Sequence, residues 1–192
     1  MRGKLLTFLC LVFLSLISVS TQAKDAQKLL GTFGNWQSYA YKEGDLPVCY
    51  MVKTAKFPAS KKSIFKRGPT YLMITHRPAE NTKDVVSYIA GYNFKPATDV
   101  AVTIGKNSFS LFPNKDTAWS RDAKTDHALT AAIRNGSFMK VTGIPAQKSA
   151  RKMTDTLDLN GAALAYQAIN KACGYEAETL KKPATQRKKP HK

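Results

Sequence analysis

Two cysteines bracket most of the chain, Cys49 in the stretch WQSYAYKEGDLPVCYM and Cys173 near the far end. A third, Cys10, falls in what reads as a leader. Arg2 and Lys4 precede an uncharged, mostly apolar run over residues 5–19, and Thr21 and Ala23 supply the small residues that a signal peptidase reads. Cleavage after Ala23 is expected, which makes 1–23 a signal peptide. The apolar run is about fifteen residues against the roughly twenty that span a bilayer. Leu9 stands before Cys10 where a lipoprotein signal wants a small residue, so lipidation is not expected. In an exported chain the remaining two cysteines form an even set that an oxidising compartment permits to pair. Closing a loop of about 124 residues would restrict the unfolded chain by about 4–5 kcal/mol in the chain-entropy model. Two buried free thiols are the alternative.

The cysteines matter because of what surrounds them. Trp36, Ser38 and Ala40 fall on one face of an extended segment and Gln37, Tyr39 and Tyr41 on the other, the period of a half-buried strand. A polar turn over 42–47 leads into a second strand over 48–54. Residues 24–30 read as a polar lead-in. The segments 71–75 and 85–94 are rich in branched and aromatic residues, as pleated surfaces favour, and Gly91 reads as a bulge in the latter. The clearest hairpin joins 100–104 to 108–112 through a three-residue loop, Gly105-Lys106-Asn107. Further strands are expected over 138–144 and 153–159.

Two helices interrupt the strands. Thr125 can cap the first, Leu129, Ala132 and Ile133 form its apolar face, and Gly136 stops it. The second starts at Asn160, where Leu159 and Leu164 have the spacing of a hydrophobic staple. Leu164, Ala168, Ile169, Ala172 and Cys173 then share a face, and Gly174 ends the helix. The pattern predicts a mainly β single domain over 24–180, a β-sandwich or open barrel with one or two packed short helices. The segment 181–192 holds six Lys or Arg, two prolines and no acid. It reads as a basic disordered tail, too polar to offset its own ordering entropy.

Charge is the main functional signal. The chain carries a formal +17, of which Arg2 and Lys4 leave with the leader, so +15 remains. That balance speaks to partners and solubility and not to fold. No acid occurs between Asp45 and Glu80, where Lys53, Lys56, Lys61, Lys62, Lys66 and Arg67 are interleaved with Phe57, Ile64 and Phe65. Cations mixed with apolar tips can dock on a phosphate-bearing lipid surface; a solvated loop with its rings tucked into the core is the plainer alternative. In the tail, Lys181, Lys182, Arg187, Lys188 and Lys189 give salt-sensitive attraction to polyanions. Expected partners are anionic envelope lipid, lipopolysaccharide or cell-wall polymer, and host-cell surface. Nucleic acid is disfavoured, since an exported protein meets envelope anions first and the tail has no aromatics for base stacking.

Catalytic and metal patterns are weak. His76, His127 and His191 are isolated, and H-E-x-x-H, C-x-x-C and G-x-S-x-G spacings do not occur. A hydrolase-like cleft assembling His76 or His127 with an acid such as Asp126 is the rival functional class, and a stress-related structural role in the periplasm is a third. No cofactor is implied. Asn135-Gly136-Ser137 matches a glycosylation acceptor, but the same residues serve as a helix stop.

Several segments together carry a resemblance: FGNW soon after the leader, VCYM, THRP at Thr75 to Pro78, GYNF, the region ending at Trp119, and TDTLDLNGAALAYQAINKAC. Over about 33–174 the chain resembles the invasion-associated locus B family, whose two cysteine positions match Cys49 and Cys173. It departs at Ala150-Arg151-Lys152-Met153, where an Arg-Gly-Thr-like turn is usual, and at Ala162, where an aromatic is. The resemblance implies an alphaproteobacterial envelope protein, periplasmic or outer-membrane associated, linked in pathogens to host-cell entry. It implies no catalytic residues.

Overall fold

The alternation read at Trp36 runs through most of the chain. The computed structural model describes residues 26–55, 67–147 and 151–175. In chain order the described strands are β1 Lys28–Phe33, β2 Trp36–Glu43, β3 Leu46–Ala55, β4 Thr70–Arg77 and β5 Thr82–Ile89, followed by β6 Val100–Ile104, β7 Asn107–Asn114, β8 Thr117–Trp119, β9 Phe138–Gly143 and β10 Met153–Asp158. They form one sheet, antiparallel throughout, in the order β1-β2-β3-β4-β5-β8-β7-β6-β9-β10. Two helices, α1 Ala123–Asn135 and α2 Ala162–Ala172, cover its inner face.

Register decides which side chains line that face. Ser38, Met51, Ile74 and Val86 align across β2 to β5, and Trp36, Lys53, Leu72 and Tyr88 form the next row; both rows are buried. The sheet curls over this core, because Asp155 on β10 accepts the hydroxyl of Tyr88 on β5, five places away in the strand order. The outermost strands β1 and β10 do not pair with each other, so the architecture is an open, barrel-like sheet, as the mainly β expectation requires.

Cys49 and Cys173 are bonded, with an S–S distance of 2.11 Å and Cα atoms 6.0 Å apart. The bond ties the end of α2 to β3 beside His76, which pairs with Cys49 across β3 and β4. Ser38 donates its hydroxyl to the Ala165 carbonyl at 2.9 Å, fixing α2 to β2 from the other side.

Several local expectations change. Residues 28–30 of the expected lead-in belong to a strand, since 28–33 pair with β2 from Lys28↔Ala40 to Phe33↔Trp36. The hairpin loop over 105–107 is shorter by one residue, because Ile104 pairs directly with Asn107. The strand expected to reach residue 94 stops at Ile89. Gly91 follows at φ +73°, where it accepts the Gly68 N–H at 2.8 Å, and a Cβ there would stand 2.3 Å from the Gly68 oxygen. Asp122, not Thr125, caps α1: its carboxylate accepts the Thr125 N–H at 2.7 Å. Gly161, at φ +92° and held against the Phe33 carbonyl, precedes α2 in place of Asn160. The buried stripe of α2 is accordingly Ala162, Ala165, Tyr166, Ile169 and Cys173, with Leu164 52 % exposed, so the expected staple does not form.

Candidate functional site

Two of the basic candidates face inward. Lys53 follows Cys49 and Met51 at every second position, which sends it to the core side of β3, where it is 5 % exposed. Burial pushes its pKa down, opposed by the nearby charge of Asp158. Arg67 makes a bidentate pair with Asp155, at 2.7 Å from Nη1 to Oδ1 and 2.5 Å from Nη2 to Oδ2, and donates Nε–H to the Ala90 carbonyl at 2.8 Å. Its guanidinium lies over the Tyr92 ring, 5.1 Å from the centroid. Both residues therefore serve the core, and the expectation that they bind surface anions is corrected. Alternation alone could have placed Lys53; Arg67 carried no local signal, since its carboxylate is 88 residues away. The other loop candidates, Lys56, Lys61, Lys62 and Lys66, lie outside the described residues, as do the expected signal peptide over 1–23 and the tail cations Lys181, Lys182, Arg187, Lys188 and Lys189.

His76 and His127 converge, but on Asp84 and not on Asp126. His76 is fully buried on β4. Its Nδ1 accepts the Asp84 backbone N–H at 3.1 Å, and its Nε2–H then donates to Asn170 Oδ1 at 2.9 Å, so both ring nitrogens are occupied in the neutral form. Desolvation lowers its pKa against the opposing pull of the Asp84 carboxylate. Asp84 sits at φ +66°, 1 % exposed, and accepts from Tyr166 Oη at 2.7 Å and from His127 Nδ1 at 2.8 Å. Asp126 instead accepts the Val86 N–H at 2.9 Å, and burial raises its carboxyl pKa. His127 alone of this group reaches solvent, its side chain 62 % exposed. A buried carboxylate orienting a surface imidazole is the start of general-base chemistry, but His76 is sealed from any substrate. Among the described residues no group of three or more His, Cys, Asp or Glu side chains could hold a metal ion, and no helix is long and apolar enough to cross a membrane.

A concavity opens elsewhere. A groove of about 1120 Å³ runs between α1 and the β6–β7 hairpin and reaches the start of β9. Ala128 and Ala131 line its helical side, Ile104 and Phe109 its hairpin side, and Lys106, Phe138 and Lys140 complete it. The sequence folds this way because α1 turns its Leu129, Ala132 and Ile133 stripe to the sheet and keeps Ala128 outward. Thr103 of β6 pairs with Ser108 on one side and Lys140 on the other, giving the outer strand surface a hydroxyl-rich row around one ammonium. Phe138 is 58 % exposed. These residues come from a hairpin, a helix and a strand spread over 103–140, so neither a run nor a motif marked them.

A family model described as Invasion associated locus B (IalB) protein matches residues 36–170. The crystal structure of invasion associated protein B from Bartonella henselae is similar at a TM-score of 0.52, with 15 % identity, over 76 % of this chain and 96 % of that one. At that identity the likeness speaks for the fold. No curated protein sequence matches this chain.

Proposed function

Since the chain belongs to the invasion-associated locus B family, we propose that it is a secreted, envelope-associated, non-enzymatic binding module that contacts anionic envelope or host-surface components through basic surface and contributes to host-cell entry. The supporting observation is how the fold sorts its charges. Asp84, Asp126 and Asp155 are buried in internal bonds, so these three of the chain's acids do little to offset the outer surface. Exposed lysines such as Lys42, Lys95, Lys106 and Lys140 stand on strands and turns around the sheet. Net positive charge spread this way gives long-range, salt-sensitive attraction.

The test is cosedimentation of the mature chain with vesicles and with lipopolysaccharide across a salt series. Preference for anionic over neutral vesicles that declines steeply between low and physiological salt supports the proposal. Equal binding to neutral and anionic vesicles at every salt concentration removes it.

A second reading rests on the Asp84–His127 bond, which fixes one imidazole nitrogen and leaves the ring at the surface. It predicts hydrolysis of model esters that His127→Ala abolishes. Activity at the level of buffer for the wild-type chain eliminates it.

A further inference from the structure

We infer that the groove between α1 and the β6–β7 hairpin holds the headgroup and proximal chain of an anionic membrane lipid. The inference rests on the binding role proposed above and names the surface that performs it. Three observations carry it. The residues lining the groove include two lysines, Lys106 and Lys140, and no acid. Neither lysine has an ion-pair partner among the described residues, so their charge is available to a ligand. Lys124, exposed one helical turn before Ala128, extends the positive row along the same stripe of α1.

The apolar part points to the same occupant. Phe138 is 58 % exposed and Phe109 only half-buried against the core. With Ile104, Ala128 and Ala131 they give a low wall of methyl and ring carbon beside the ammonium groups. A soluble polyanion would use the charges and leave the rings in water; a lipid uses both, since ammonium groups attract the phosphate and the rings accept the carbons next to it. Asp158, which is not among the lining residues, pairs with Phe138 across β9 and β10 and accepts the Asn160 N–H at 3.0 Å.

The test compares charge reversals of equal size in the full mature chain. Lys106→Glu with Lys140→Glu changes the groove, and Lys95→Glu with Lys152→Glu changes exposed positions outside it. Binding is measured to vesicles of 70 % phosphatidylcholine and 30 % phosphatidylglycerol, with circular dichroism confirming that each variant folds. The groove pair is expected to weaken binding about tenfold or more and the distant pair about threefold or less, because only the former removes direct phosphate contacts. Phe138→Ser should weaken binding severalfold at high salt, where charge is screened and ring burial remains. Equal losses from the two charge pairs overturn the groove while leaving the broader binding role intact. A wild-type chain that does not distinguish these vesicles from pure phosphatidylcholine overturns both.

Discussion

His76 ties the protein's stability to pH through one residue. Its folded-state pKa is lowered, chiefly by desolvation, whereas the unfolded chain's imidazole titrates near 6.5. Below that point the unfolded state binds a proton that the folded state does not, so stability falls as pH drops. The slope approaches about 1.4 kcal/mol per pH unit until the folded-state pKa is reached. Asp126, whose pKa burial raises, acts in the opposite sense in a more acidic window. Urea unfolding at pH 7.5 and pH 5.5 should show the loss, and His76→Gln, where it folds, should flatten it. A second prediction concerns Arg67 and Asp155. Arg67→Met alone strands a buried carboxylate and should cost about 3–5 kcal/mol in urea unfolding, while a double change to apolar residues recovers much of that loss. An Arg67→Met loss under about 1 kcal/mol would mean that the guanidinium behaves as a surface charge. The sequence made Arg67 look like one, because an arginine beside Lys66 and far from any acid has no local signal of burial. Lys53 did have a signal, since it shares a face with Cys49 and Met51, but the surrounding run of cations outweighed it.

At the level of elements, alternation made β2 legible, branched and aromatic residues marked β4 and β5, and the loop Gly105-Lys106-Asn107 marked β6 and β7, because each of these signals lies within or beside the element itself. The three-residue β8 was too short to show a period, and β1 has no fully buried side chain to reveal one. The helices were found, but their details depended on backbone geometry that lies outside any periodic count. Gly161 turns the chain into α2 one residue later than Asn160 would, and the buried stripe rotates away from Leu164. Gly91 is the other such position. Gly91→Ala must adopt φ near +73° and press its Cβ on the Gly68 carbonyl, so a loss above about 1–2 kcal/mol is expected from the left-handed conformation before the clash is counted. Thermal unfolding of this variant checks it, and an unchanged midpoint would show that the contact between the two glycines is not needed.

Across the molecule, the disulfide and the curled sheet were partly readable and the groove was not. Two cysteines outside the expected leader allowed a pair, and a helix ending in Cys173 could present it to a strand. The way β10 lies over β5 was hidden, because it depends on Asp155 meeting Tyr88 and Arg67 across long separations. The groove needs that tertiary arrangement as well: its hairpin wall and its helical wall are unrelated in sequence, and its lysines are ordinary exposed residues until the fold sets them beside Phe138. The family match describes the scaffold over residues 36–170, and the placement of charge on this chain supplies the functional reading. The most direct measurement is amide hydrogen exchange of the full mature chain with and without anionic vesicles. Slowed exchange at residues 103–109 and 128–140 is the predicted result; slowing confined to the lysine-rich segment 181–192 would contradict an anion-binding surface on the folded domain.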